Sequence, residues 1–289
     1  MPYTLVSFHA HPDDEALFTA GTLARAAAEG HRVVLVTATA GGRGLVSSRL
    51  AAAGELAQLR EAELRSAAAA LGCREVHFLG YDDSGLDGRQ GDDDTAFSRV
   101  PVEEAAGRLA AILLEVGADV LTVYDPAGGY GHPDHVQVHR VGVRAAEMAG
   151  TPVVLEATVD RRSLLRILRL LHRLRLTPPD WRPERFTRAY AEPGRITHRV
   201  DVRAYAGAKR AAMAAHASQA TADEGVRTLA LLLRLPRPVF RRVFAHEWFV
   251  ERGRAPSRRQ LDDVFDTLRD RRASPGIGDG HVRWSPGMS

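Results

Sequence analysis

Tyr3-Thr4-Leu5-Val6-Ser7-Phe8 is followed, past His9, by Ala10-His11-Pro12-Asp13-Asp14-Glu15, then by an Ala/Leu-rich stretch from Ala16 to Glu29 with Gly30 behind it, and then by Arg32-Val33-Val34-Leu35-Val36-Thr37. The outer runs are apolar enough for buried strands, and the middle one has the composition of a helix that Gly30 stops. Strand, helix and strand over about 35 residues make a βαβ unit, whose two strands run parallel. The expected class is therefore α/β, a Rossmann-like open, mostly parallel sheet with helices on both faces.

Outward from this unit the alternation continues. Helices are expected at 50–71, with Gly72 as stop, and at 102–116, 135–148, 161–175 and 204–217; strands at 75–79, 119–124, 152–158 and 196–202, with a last apolar run at 243–250. The chain reads as one α/β domain over 1–250, with a basic helical insert at about 160–190 and an irregular tail at 251–289. Its 289 residues, 45% hydrophobic, suffice for a large core.

Residues 11–15 hold one imidazole and three carboxylates just past a strand, where parallel sheets gather their ligands. His11 and Asp14, three apart, can point at one cation while Asp13 faces the same cavity from another angle. Mixed nitrogen and oxygen donors suit zinc. A third ligand has to come from elsewhere, and the best source is Tyr130-Gly131-His132-Pro133-Asp134-His135, which also follows a strand. A helix N-terminus and a bound cation would both keep Asp13 and Asp14 ionised at neutral pH. A dinucleotide-binding fold would put a Gly-x-Gly-x-x-Gly turn where this chain puts carboxylates, which repel a pyrophosphate. A serine hydrolase is disfavoured too, because no Gly-x-Ser-x-Gly elbow occurs.

Composition narrows the partners. The single Cys73 excludes an intramolecular disulfide and a cysteine-based metal cluster. No apolar run approaches the roughly 20 residues that span a bilayer, and no signal-peptide pattern precedes the first strand, so a cytoplasmic protein is expected. Every basic residue except Lys209 is arginine, crowded at 161–188 and 234–259, while acids crowd 82–94. Aromatics do not interleave these arginines, which argues against nucleic acid. The basic amphipathic stretch 161–175 admits contact with an anionic membrane surface, but a flap or subunit contact is the favoured reading, and a homo-oligomer is left open.

The two clusters resemble the signature of the LmbE-like (PIG-L) family of zinc-dependent N-acetylglucosamine deacetylases, His-Pro-Asp-Asp-Glu near the N-terminus and His-x-Asp-His over a hundred residues later. The resemblance is good over about 1–160 and thinner to about 250. It implies His11, Asp14 and His135 as ligands of Zn2+, or of another divalent ion such as Fe2+, with one position left open. It further implies Asp13 as general base, His132 as stabiliser of the oxyanion, oriented by Asp134, and Tyr130 as a further hydroxyl on that oxyanion. Either His132 or the reprotonated Asp13 would protonate the leaving amine, and the sequence does not choose.

Arg60 matches a substrate-contacting arginine of the mycothiol-pathway branch, and Asp83 in Gly80-Tyr81-Asp82-Asp83-Ser84-Gly85 matches the family Asp that helps shape the sugar pocket. Gln219 in His216-Ala217-Ser218-Gln219 matches a Gln of that branch near the metal site, and all three are read as substrate-binding. Bland alternatives stand beside them: a surface pair of Arg60 with Glu63, an Asx-turn at Asp83, and a helix C-terminal role for His216. Arg43, in the turn Thr39-Ala40-Gly41-Gly42-Arg43-Gly44, departs from a family position that is commonly acidic. Glu15 is expected to support its turn, and His9, His77 and His139 to be structural or surface residues. The implied reaction is hydrolysis of the N-acetyl or N-acyl amide of an N-acetylglucosamine-type small molecule. The alternatives are an amidase of mycothiol S-conjugates and a non-catalytic metal-binding module.

Overall fold

The computed structural model describes residues 1–41, 53–85, 95–173, 189–220 and 228–273. Arg43, the acidic run 92–94 and the second half of the arginine-rich stretch, 174–188, lie outside the described residues.

The described chain runs β1 (Thr4–His9), α1 (Asp14–Phe18), α2 (Ala20–Ala28), β2 (Arg32–Thr39), α3 (Ala53–Leu71), β3 (Glu75–Tyr81), α4 (Val102–Val116), β4 (Val120–Tyr124), α5 (Pro133–Ala149), β5 (Val153–Thr158) and α6 (Arg161–Arg173). It continues through β6 (His198–Asp201), α7 (Ala206–Ala215), α8 (Ala217–Ala220), α9 (Thr228–Leu233), α10 (Arg237–Val243), β7 (His246–Glu251) and α11 (Asp266–Ala273). The sheet order is β3-β2-β1-β4-β5-β7-β6. The first five strands in chain order pair in parallel, and β7 runs antiparallel to both β5 and β6. Helices α4 and α5, on either side of β4 in the chain, pack on each other, and α2 packs on α3. The expected open α/β sheet is what forms. Strands β1, β2 and β4 are buried along nearly their whole length, as their unbroken apolar runs require. No helix among the described residues is long and apolar enough to cross a membrane.

Three expectations need correction. The single helix over 16–29 is two helices, broken at Thr19 with φ −131°. The break has a tertiary cause: the carboxylate of Glu247, on β7, accepts hydrogen bonds from Gly21 N at 2.9 Å and Thr22 N at 2.8 Å. That carboxylate satisfies the open end of α2 and is itself neutralised by Lys209, whose Nζ lies 2.6 Å away. Gly21 is required there, since a Cβ would lie 2.6 Å from that of Val202. The apolar run at 243–250 starts with the last residue of α10, and its strand begins only at His246.

Nor is the stretch beyond 250 an irregular tail as far as Ala273. Leu261 exchanges backbone hydrogen bonds with Thr197 and Arg199, and Val264, Phe265 and Leu268 enter the core. The Phe265 ring stacks on Tyr3 at 5.1 Å and lies 4.2 Å from the His31 ring. Hydrophobic periodicity does not reveal this return, because the three apolar anchors are spread among charged residues.

Candidate active site

The strand order reverses between β1 and β4, and the two His/Asp clusters follow the C-terminal ends of these adjacent strands. This is the crevice in which open parallel sheets bind ligands. Its floor is braced by His9, the last residue of β1. The His9 ring bonds Ser7 Oγ at 2.8 Å, Thr19 Oγ1 at 3.0 Å and the Tyr124 hydroxyl at 3.0 Å. Burial lowers the His9 pKa to about 4, so it is a neutral structural group.

Asp13 occupies the left-handed region, φ 109° and ψ −25°, a conformation that costs a non-glycine residue of order 1–3 kcal/mol. Its backbone N–H donates to Glu15 Oε2 at 3.0 Å, and its carbonyl accepts from Ala16 N at 3.1 Å. The other Glu15 oxygen pairs with His216 Nε2 at 2.6 Å, both side chains being fully buried. Glu15 thus supports its turn as expected. Its partner at the end of α7 carries no signal of its own in the sequence beyond the His216-Ala217-Ser218-Gln219 likeness.

His11 Nδ1 lies 3.4 Å from Asp14 Oδ2, and His135 Nε2 lies 3.4 Å from the same oxygen. On its other side, His11 Nε2 bonds Asp134 Oδ2 at 3.0 Å and lies 3.4 Å from Asp83 Oδ1. The His135 ring stacks on Tyr124 with centroids 4.2 Å apart, which fixes its plane. Both of its nitrogens are buried without a hydrogen-bond partner. Two triads, His11/Asp14/His135 and His11/His132/Asp134, have candidate ligand atoms within 4.8 Å of one another and could hold a metal ion.

The orphaned His135 nitrogens and the excess of carboxylate fit a cation in the first triad. In the second, Asp134 Oδ2 is committed to His11 and to Ser84 N at 3.0 Å, while His132 Nδ1 accepts from Asp134 N. A ligand histidine whose remote nitrogen bonds a carboxylate is the usual way such a ring is oriented.

The electrostatics split the two neighbouring aspartates. Burial opposes the charge on Asp14, but the His135 and His11 rings outweigh it and hold its pKa well below the usual carboxylate range. Asp13 is pushed up to about 7 by burial and by the Asp14 charge, against the pull of His216 and Arg60. Asp14 is thus held ionised in this environment, while Asp13 is poised near neutrality. Burial also disfavours the charged form of His11, yet its bonds to Asp134, Asp14 and Asp83 raise its pKa well above the ordinary value. His132 is lowered to about 4 by burial and by the His11 and His135 rings, so it is neutral near pH 7. Because its Nδ1 accepts a hydrogen bond, the proton sits on Nε2 and makes that atom a donor.

One further correction concerns Asp134. Its backbone N–H orients His132, while its carboxylate orients His11. Arg60 is buried, only 3% exposed, and does not form the surface pair with Glu63. One of its nitrogens donates to Gly41 O, while Nε and Nη2 have no hydrogen-bond partner. Glu63 instead binds Ser218 through its N and Oγ, each at 2.7 Å, and so caps α8. Asp83 accepts from Gly85 N at 2.9 Å in the Asx-turn, and its Oδ1 also lies 3.4 Å from His11 Nε2. Tyr130 stands at the rim, 49% exposed, with its ring 5.1 Å from that of His135. The Gln219 side chain lies outside the described residues. The Ser84, Glu63 and Ser218 contacts have no sequence signal, since each joins segments far apart in the chain.

Residues 6–146, which contain both clusters, match the family described as PIG-L: GlcNAc-PI de-N-acetylase. Relatives named 1D-myo-inositol 2-acetamido-2-deoxy-alpha-D-glucopyranoside deacetylase align over much of the chain. The Streptomyces griseus protein is 42% identical over 243 residues, 76% of this chain and 75% of the relative. The Streptomyces avermitilis protein is 38% identical over 284 residues, 89% of this chain and 95% of the relative. Among solved structures, the zinc inhibited form of teicoplanin deacetylase Orf2 superposes with a TM-score of 0.57 at 18% identity, over 86% of this chain and 97% of that one. At that identity the likeness is one of fold. The relatives at 38–42% identity are hydrolytic enzymes that act at one amide bond, which sets aside the non-catalytic module. The chain belongs to the PIG-L family of GlcNAc-type de-N-acetylases and is a deacetylating hydrolase.

Proposed function

We propose that the protein removes the N-acetyl group of an N-acetylglucosamine unit linked to a cyclitol, with Zn2+ held by His11, Asp14 and His135. The observation that carries the metal site is His135, buried with neither ring nitrogen hydrogen-bonded and with Nε2 only 3.4 Å from the Asp14 oxygen that also faces His11. When bound there, a divalent cation supplies Lewis acidity toward the amide carbonyl and acidifies a neighbouring water. Two imidazoles and one carboxylate also accept Fe2+, so the choice of metal is part of the test.

Asp13 takes a proton from the attacking water. A carboxylate poised near neutrality is suited to that work, because it can accept a proton and return it. It then delivers this proton to the amide nitrogen as the C–N bond breaks, releasing acetate and the free amine. In this reading His132, whose pKa is lowered by burial and by the His11 and His135 rings, serves as a hydrogen-bond donor and not as the acid. Its Nε2–H instead donates to the carbonyl oxygen as negative charge collects there. Tyr130 adds its hydroxyl, which desolvation and the Asp14 and Asp13 charges keep protonated. Arg60, with two buried donors unused, and Asp83 bind sugar hydroxyls. The cyclitol linkage is taken from the relatives with which the chain shares most of its length.

The test is amine release from free, inositol-linked and antibiotic-linked N-acetylglucosamine by protein loaded with zinc or ferrous ion. The inositol-linked compound should be turned over fastest. Stoichiometric metal binding with no amine from any of the three would overturn the proposal.

A further inference from the structure

The arginine-rich helix α6 touches the site through a route separate from the two motifs. Asp125, just past β4, accepts from Ala127 N at 3.1 Å and Gly129 N at 3.0 Å through Oδ1, and from Thr158 Oγ1 at 3.1 Å through Oδ2. Thr158 Oγ1 accepts in turn from Ala191 N at 2.8 Å. The neighbouring residue, Tyr190, donates its N–H to Gly129 O at 2.9 Å and sits at φ 61°, where an aromatic residue is strained.

What holds it there is Arg161, the first residue of α6, which donates from Nε to Ala189 O at 2.8 Å and from Nη2 to Tyr190 O. The Tyr190 ring lies 6.3 Å from Phe18, and a Cβ on Gly129 would come within 3.2 Å of its Cε1, so ring and loop are in contact. Gly129 immediately precedes Tyr130. Arg162, Arg166 and Arg169 of the same helix are exposed, so Arg161 is set apart from them by what it touches.

We infer that Arg161 and Tyr190 are positioning residues, which lock the loop 125–131 and thereby aim the Tyr130 hydroxyl and the His132 ring at the reacting amide. This rests on the hydrolytic reading above for its consequence, and on the hydrogen-bond chain alone for its structure. Neither residue touches the reacting atoms. A planar guanidinium reaching two successive carbonyls is a fork that lysine cannot reproduce.

The experiment compares the zinc-loaded wild type with Arg161→Ala, Arg161→Lys, Thr158→Val and the control Arg162→Ala. Amide hydrogen exchange over 125–131, kcat and KM on the inositol-linked substrate, and bound zinc are measured on each. Expected are exchange at least about tenfold faster over 125–131 in Arg161→Ala and Thr158→Val, and a kcat loss of about tenfold or more with KM within about threefold. Bound zinc should be unchanged, Arg161→Lys should not rescue, and Arg162→Ala should match wild type. Unchanged exchange, or faster exchange with full kcat, overturns the inference, as does a kcat loss that merely tracks lost zinc. If the wild type itself releases no amine, the hydrolytic reading fails, while the exchange comparison still decides whether Arg161 locks the loop.

Discussion

The Nε2 atom of His216 stands 2.6 Å from Oε1 of Glu15 with both side chains fully buried, and the second Glu15 oxygen holds the N–H of Asp13. The pair therefore ties the end of α7 to the strained backbone of the residue proposed as base. Burial works against a charged His216, but Glu15 outweighs it and raises its pKa from 6.5 to about 9. A raised pKa stabilises the fold fully below 6.5, and that stabilisation is lost as pH rises through about 9. Glu15, depressed by His216, contributes above its ordinary value and loses its contribution in acid. Urea titrations should show His216→Gln less stable than wild type by about 3 kcal/mol at pH 6, with the gap closing by pH 10. A gap independent of pH would mean that the pair is not ionic.

Asp13→Asn tests the base directly. The amide cannot accept the water proton, so kcat should fall by about 10²–10⁴ while zinc binding persists. The left-handed backbone at this position tolerates asparagine, which keeps folding out of the comparison. Full activity in this variant would remove Asp13 from the mechanism.

The fold and the two His/Asp clusters were readable in the sequence for different reasons. Strands β1, β2 and β4 announce themselves because both of their faces are buried, so their apolar runs are continuous. The two His/Asp clusters stand out because unpartnered charge at strand ends has few other uses. What stayed hidden depends on pairs distant in the chain: Glu247 breaking the first helix, His216 on Glu15, Glu63 on Ser218, and Asp134 turning to His11 instead of His132. Local spacing carries no information about such partners. Arg60 shows the same limit, since a helical i,i+3 count offered it Glu63, whereas burial turned it toward Gly41.

Asp134→Asn separates the two roles that could be given to this carboxylate. It accepts from His11 Nε2 and Ser84 N, and orients His132 only through its own backbone. The substitution should thus weaken zinc affinity about 10–100-fold in a chelator competition, the usual cost of losing such an orienting partner. His132→Ala should leave zinc affinity near wild type and lower kcat. Equal zinc loss in both variants would favour the second triad as the binding set.

Bound metal should also register as stability. A ligand that binds only the folded state at about 100 times its Kd adds about 2.7 kcal/mol, so zinc should raise the Tm of the apoprotein. His135→Ala should abolish that rise, because its Nε2, buried and not hydrogen-bonded, faces Asp14 Oδ2 at 3.4 Å in the proposed ligand set.

Phe265→Ala probes the chain beyond 250 without touching the site. The ring is 1% exposed, stacked on Tyr3 and close to His31, and it closes the end of the core where β1 begins. Removing a buried phenyl leaves a cavity that this corner cannot refill, since Tyr3 is fixed by the His31 Nδ1 bond to its N–H at 2.9 Å. A loss of about 3–5 kcal/mol in urea unfolding is expected, with zinc affinity and kcat near wild type under native conditions. A loss below about 1 kcal/mol would mean that residues 261–273 contribute little to the fold. A fall in kcat at full folding would mean that this segment reaches the site by a route other than packing.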